Sequence, residues 1–312
     1  MKSDFVWMDG DLVPIEEAKV HVINPTLHYG PGVFEGIRCY ETPKGPAVFR
    51  LRDHLERFIE SIHILGVLKF PYTIDELQRG VHTTIRVNGF SECYVRPLMY
   101  LDGPLGLNMD RSKARVFIAA WEWGPYLGEE AQEKGIHMMI SSFTRLHPNI
   151  SMTKAKITGN YINSMLVKTL ALRSGYDEAV ILDPQGFVAE CTGENIFMIR
   201  KGKLYTPPLS TVLDGITRDT IIQLAEDMGI PVVEKMITRD QLYIADEVFI
   251  SGTAAEIVGV RMIDHRRVGK GGVGPVTQAL LHAYHENLHG NGARSSEWLD
   301  LVPGEAGELT DF

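Results

Sequence analysis

Cysteine is scarce: Cys39, Cys93 and Cys191 are the only three, each isolated in the chain. An odd, scattered set excludes a disulfide framework and a paired-cysteine zinc motif. Basic blocks are missing and the formal net charge is −9, which disfavours nucleic acid and anionic membrane surfaces as partners. No stretch approaches the roughly 20 apolar residues needed to span a bilayer. Met1 to Gly10 lacks the apolar segment of a signal peptide. The expected compartment is therefore the reducing cytoplasm. No internal repeat is visible.

What is present is an ordinary globular mixture, 312 residues with 44% apolar and 23% charged, enough for a sizeable core. Asp9-Gly10 between two short apolar runs predicts a hairpin. Asp53 with Glu56, and Thr73 or Asp75 further on, predict the starts of two helices. Leu55, Phe58, Ile59, Ile62 and Leu65 form the apolar face of the first. Strands are expected at Cys93 to Tyr100 and Arg115 to Trp121. The aromatic and breaker-rich run from Trp121 to Gly128 changes the pattern. We therefore expect a small α+β domain over 1–122, an interdomain loop over 123–133 and a larger domain over 134–312 ending in a mobile acidic tail. In that larger part, turns at Asp183 to Gly186 and Arg200 to Gly202 predict a meander of short strands. Strand runs broken by few helices indicate α+β with a largely antiparallel second domain.

Gly269 to Gly274 looks like a phosphate-binding loop, but Pro275 and Val276 stand where lysine and a hydroxyl residue are required. A glycine turn before the last helix is the plainer reading.

Several polar groups are candidates for chemistry. Lys154 and Lys156 precede a helix expected from Asn160. Alternation puts both on one face of an extended segment, so periodicity does not choose between them. Glu190 and Glu194 pose the same choice in Glu190-Cys-Thr-Gly-Glu-Asn195. Asp214 to Asp219 places a glycine turn before a helix, with Thr217 expected as N-cap. Backbone N–H groups at such a start attract an anion. Ser251 to Glu256 follows a strand and offers further backbone donors. Each group also has a bland reading, as a solvated charge or a plain helix cap.

Taken together, the motifs resemble one family. His28 to Arg38 (HYGPGVFEGIR), Tyr94 to Pro97 (YVRP), Lys156 to Tyr161 (KITGNY), Glu190 to Phe197 (ECTGENIF), Gly215 to Arg218 (GITR) and Ser251 to Glu256 (SGTAAE) occur in the order of the fold-type IV branched-chain aminotransferases. The similarity runs from about Phe5 to Val302. It implies an α+β, D-amino-acid-aminotransferase-like fold with a small α/β N-terminal domain and a larger pseudo-barrel C-terminal domain. It also implies a pyridoxal 5'-phosphate cofactor and a homodimer. The implied activity is amino transfer between leucine, isoleucine or valine and 2-oxoglutarate. Sibling D-amino-acid aminotransferases, R-selective amine transaminases and aminodeoxychorismate lyases share the cofactor residues. They should lack the FEGIR and YVRP combination.

The resemblance selects Lys156 as the Schiff-base lysine and Glu190 as partner of the pyridine nitrogen, with Tyr161 at the ring oxygen. Arg57, read as lying on the exposed side of the first helix, joins Ile216, Thr217 and Thr253 around the phosphate. Gly193, Asn195 and Gly215 complete the cofactor set. Phe34, Gly36, Trp123, Tyr126 and Tyr161 become the apolar wall of the substrate pocket. Tyr94 with Thr253 and Ala254 holds the α-carboxylate, Arg96 meets the side-chain carboxylate of glutamate, and Arg38 positions Tyr94 or steers carboxylates. Tyr29 and Leu107 reach a neighbouring subunit. Cys191, Thr192 and Asp214 depart from the family pattern.

Overall fold

The computed structural model describes residues 3–124 and 126–304. The chain divides into two compact units, Met1–Trp123 with Glu286–Phe312, and Gly124–His285.

The first unit is built on an antiparallel sheet. Its order is Leu299–Leu301, Gly45–Phe49, Ile37–Thr42, Cys93–Asp102, Lys113–Trp121, Phe5–Met8, Asp11–Pro14, with Val33–Phe34 also paired to Cys93–Asp102. The opening hairpin turns at Asp9 (φ 52°) and Gly10 (φ 103°). Two positive φ angles match the twist of the strands they join. Helix Leu51–Leu65 starts two residues before Asp53, from Arg50 in the left-handed region, and Arg50 pairs with Asp53 in the first turn. Helix Ile74–Val87 follows Thr73, one of the two expected starts, which forms a capping box with Glu76. These helices bury Leu51, Leu55, Phe58, Ile62, Leu77, Val81 and Ile85, as their spacing requires.

The end of the chain corrects the expected boundary. Residues 286 onward fall in the first unit rather than with 134–285. Leu299–Leu301 is an edge strand on Gly45–Phe49, and Asp300 accepts from Gln78 Nε2 at 2.7 Å and from His82 Nε2 at 2.6 Å. Such long-range pairing has no signature in local pattern. The expected mobile tail falls on residues 305–312, outside the described residues. A short helix, Glu129–Lys134, occupies part of the stretch read as a loop.

The second unit carries a sheet ordered Val188–Glu190, Glu178–Leu182, Ile136–Thr144, Glu256–Ile263, Glu247–Gly252, Asn195–Arg200, Lys203–Thr206, Val232–Glu234. Among the described residues, five of its eight strand pairings are antiparallel, as expected, and three are parallel. Ile136–Thr144 runs parallel to both of its neighbours, and Lys203–Thr206 runs parallel to Val232–Glu234. Parallel neighbours need crossovers, and helices Tyr161–Arg173 and Ile216–Asp227 supply two of them. The two predicted turns form separate hairpins, not one meander, because a tight turn from Cys191 N–H to Glu194 O intervenes. Val180, Ile196, Val248, Ile250 and Val258 lie in its buried core. Glu247 accepts from the N–H groups of Val276 and Thr277 at 3.0 and 2.8 Å. A carboxylate thus sits at the helix start after the glycine-rich stretch, where an anion would otherwise bind. Among the described residues no helix is long and apolar enough to cross a membrane.

Candidate active site

The two lysines that alternation left equivalent have different partners. Lys154 reaches Asp214 with its side chain 40% exposed. Lys156 is half-buried and donates from Nζ to Tyr161 Oη at 2.7 Å. Tyr161 opens the helix Tyr161–Arg173, immediately after the 3-10 turn Thr158–Asn160. That turn folds the chain back so that a residue five places on meets the lysine head. The Lys154 pair also accounts for Asp214, one of the departures from the family pattern.

Glu190 ends the strand Val188–Glu190 and is buried. Its Oε2 accepts from Leu213 N at 3.3 Å, and Arg145 Nε lies 2.5 Å from Oε1. Arg145 is thus the ionic partner of the Glu190 carboxylate. Burial raises the Glu190 carboxyl above its ordinary value, while the Arg145 guanidinium, the Leu213 N–H and the Lys156 amine oppose that rise. These three groups favour the charged form and so counter part of the desolvation.

Glu194, also buried, is in a different state. Burial and the nearby Glu178 push its carboxyl up to about 8. Glu178 takes the cationic partner instead: Lys168 Nζ donates to it at 2.7 Å and Thr192 Oγ1 at 2.9 Å. Thr192, another departure from the pattern, is therefore part of this buried network. Of these two glutamates, Glu190 is the one on which the Lys156 amine acts.

The helix Ile216–Asp227 begins at Gly215, not at the expected Thr217, and has no side-chain cap. Thr217 instead lies within the first turn, buried. A methyl added to Gly215 would come within 1.9 Å of Asn195 Oδ1, so only glycine fits there. Asn195 Nδ2 donates to Leu213 O at 3.3 Å, and Asn195 is the strand partner of Ser251. Asn195 thus holds the turn open beside the strand Glu247–Gly252. Gly193 and Gly252 are also close, since a methyl on Gly252 would meet Gly193 O at 3.2 Å. Thr253 and Ala254 follow in a partly exposed turn. The Ser251 hydroxyl is buried with no hydrogen-bond partner among the described residues. An uncapped helix start, a glycine cradle and an orphaned hydroxyl suit an anion held by backbone donors.

In the first unit, the expected alternation of Tyr94 and Arg96 is present. Arg96 Nη2 donates to Tyr94 Oη at 3.0 Å, and the guanidinium lies 4.6 Å from the Phe34 ring centre. Tyr94 packs edge-on to Trp123 with centroids 4.6 Å apart. Gly36 is needed here, because a methyl would come within 2.0 Å of Tyr94 Oη. Arg38 is buried as the strand partner of Tyr94, with Glu92 3.9 Å away. Its burial suits positioning Tyr94 better than steering from the surface. Tyr29 and Leu107 are 52% and 90% exposed. Tyr126 belongs to the second unit, where Lys168 Nζ stands 5.6 Å from its ring centre.

Arg57 is a correction. It is buried, not exposed, and grips Glu35 with Nε and Nη2 at 2.7 and 2.8 Å. His54, Arg57 and Ser61 continue the buried face of the helix beside Leu55 and Phe58. Their polar character hid that from a hydrophobic pattern. Trp121, Arg145 and Glu35 were assigned no role from sequence. Trp121 sits opposite Tyr94 in register, a clue its i, i+2 spacing from Trp123 could have supplied. Nothing local links Arg145 to Glu190.

Comparison with known proteins gives consistent results. Residues 32–263 match the family described as amino-transferase class IV. A branched-chain-amino-acid aminotransferase of Pseudomonas aeruginosa is 49% identical over 302 residues, covering 96% of this chain and 98% of that protein. The protein of the same name from Escherichia coli K12 is 47% identical over 306 residues, covering 96% and 98%. Among solved structures, the Escherichia coli branched-chain amino acid aminotransferase superposes with a TM-score of 0.93 at 45% identity, over 97% of this chain and all (100%) of that one. The branched-chain amino acid aminotransferase of T.th. complexed with N-(5'-phosphopyridoxyl)-L-glutamate gives 0.91 at 44% identity, with coverages of 97% and 100%.

Proposed function

The chain belongs to the class IV amino-transferases, and from that premise we propose how its own residues carry out the reaction. That reaction is pyridoxal-phosphate-dependent transfer of the amino group of leucine, isoleucine or valine to 2-oxoglutarate, giving branched 2-oxo acids and L-glutamate. The observation that carries the assignment of roles is the half-buried Lys156 amine, 2.7 Å from Tyr161 Oη and acting on the buried Glu190 carboxyl.

When bound, pyridoxal phosphate supplies a carbonyl for the amine and a protonated ring that withdraws electrons from the substrate's α-carbon. Gly215, Ile216, Thr217 and Thr253, with Arg57, would take its phosphate, and the orphaned Ser251 hydroxyl is a further donor. Gly193 and Asn195 shape that cup. Glu190 holds the proton on the pyridine nitrogen, and Tyr161 Oη orients Lys156. Lys156 Nζ then moves the proton to and from the substrate's α-carbon.

Tyr94, with the backbone of Thr253 and Ala254, receives the α-carboxylate. Phe34, Gly36, Tyr161, Trp123 and Tyr126 form the apolar wall, and Arg96 receives the side-chain carboxylate of glutamate. Arg38 positions Tyr94. Tyr29 and Leu107 are proposed to reach into a second copy in a cytoplasmic homodimer. In support, Val22 and Leu27 of the first unit, and Ile162 and Met165 on the helix Tyr161–Arg173, are all exposed apolar residues.

The direct test is a single-turnover experiment with cofactor-loaded protein. Leucine should convert the bound aldehyde form to the amine form, and 2-oxoglutarate should restore it. Conversion by D-alanine or an R-amine but not by leucine would overturn the substrate assignment.

Glu190→Gln should retain the cofactor yet slow proton removal by at least about tenfold, about 1.4 kcal/mol of barrier. A neutral amide beside the pyridine nitrogen no longer favours its protonated form. The measurement is the leucine half-reaction with α-deuterated substrate. An unchanged rate would exclude the proposed role of Glu190.

A further inference from the structure

Glu35 has no role in the reading above, yet it is fully buried at the centre of a three-residue network. It follows the strand Val33–Phe34, and its backbone N–H donates to Pro97 O at 2.9 Å. Its side chain meets the helix Leu51–Leu65, where Arg57 Nε and Nη2 donate to the two carboxylate oxygens at 2.7 and 2.8 Å. His54 Nδ1 lies 2.8 Å from Oε2, and the Gly36 N–H donates to the same oxygen at 3.3 Å. Burial alone would raise the Glu35 carboxyl, but Arg57 and His54 hold it well below the usual carboxylate range.

A fork-to-carboxylate pair in the interior contributes little net stability, because desolvating both charges offsets their attraction. What it does supply is geometry. Two parallel bonds along one edge fix the plane of the guanidinium, and with it the direction of the remaining N–H donors. The helix backbone and a strand-end residue are the rigid supports on either side. A free arginine side chain would sample many rotamers before meeting an anion. We propose that Glu35, itself held by His54, is a positioning residue that presets Arg57 to receive the phosphate of the cofactor. The inference rests on the reading of Arg57 as a phosphate ligand.

The test compares binding of pyridoxal phosphate with binding of phosphate-free pyridoxal to the full chain, by absorbance titration. Glu35→Gln keeps the shape but sets amide hydrogens against the guanidinium. It should weaken pyridoxal phosphate by about tenfold, the low end for one charged hydrogen bond. Pyridoxal binding should stay within about twofold, since that ligand has no phosphate to miss the arginine. Equal losses for both ligands would mean a general structural role and overturn the proposal, as would no loss for either. If Glu35→Gln does not fold, His54→Leu carries the same paired measurement, with a smaller loss again confined to pyridoxal phosphate and the same overturning results.

Arg57→Met separates the two levels of argument. A loss for pyridoxal phosphate alone in this variant, with both affinities kept in Glu35→Gln, removes the role of Glu35 and leaves the phosphate reading standing. Unchanged affinities in Arg57→Met would remove the phosphate reading, and the inference with it.

Discussion

Lys156→Ala is expected to lose the visible absorbance of the bound cofactor and nearly all transamination, while Lys154→Ala keeps both. Only an amine placed at the reacting carbon can move its proton, and positioned proton transfer contributes about a hundred- to ten-thousand-fold. Lys156 is the lysine whose Nζ meets Tyr161 Oη at 2.7 Å and whose charge acts on Glu190. Lys154 is bound to Asp214 at a site with both side chains well exposed, 40% and 51%. Its removal should cost no more than about 1 kcal/mol of stability, the usual range for a surface ion pair. Spectra and single-turnover rates with leucine decide between them. A dead Lys154 variant with an active Lys156 variant would reverse the assignment.

Arg96→Met is expected to separate the two halves of the reaction. One pocket must accept leucine's apolar side chain and, alternately, the charged one of glutamate. Burying that carboxylate without a partner costs several kcal/mol, so a cation has to be available. Arg96 projects on the same strand face as Tyr94 and lies against Phe34 and Trp121. Its Nε is buried with no hydrogen-bond partner among the described residues. A methionine keeps length and apolar bulk but removes the fork. The glutamate half-reaction should then fall by about two orders of magnitude, since losing one charged partner costs about 2–5 kcal/mol. Leucine's should change by less than about tenfold, a loss arising from the hydrogen bond to Tyr94 Oη and the contact with Phe34. The measurement is the pair of single-turnover rates as each substrate concentration is varied. Equal losses would mean that Arg96 supports the pocket or grips the α-carboxylate.

Much of this chain is written in signals that need only near neighbours. The Asp9-Gly10 hairpin, the Thr73–Glu76 capping box and the apolar stripe of Leu51–Leu65 follow from residues a few places apart. So do the hairpin turns near Gly186 and Gly202. The ordered motifs identified the class of chemistry as well, because several rare residue sets must coincide to build one cofactor site. By itself, then, the sequence determined these local elements and the family.

Partner choice was decided only in three dimensions. Lys154 and Lys156 share one face of an extended segment, and the fold alone sends one to Asp214 and the other to Tyr161. Arg57 reads as a surface cation until Glu35, from a distant strand end, meets it in the interior. Arg145 reaches Glu190, and Leu299–Leu301 reaches Gly45–Phe49, through pairings that no local pattern encodes. The physical reason is common to all four. Propensity, capping and turn chemistry act over a few residues, whereas burial and charge pairing depend on which distant segments pack together, and packing settles that only once the whole chain has folded.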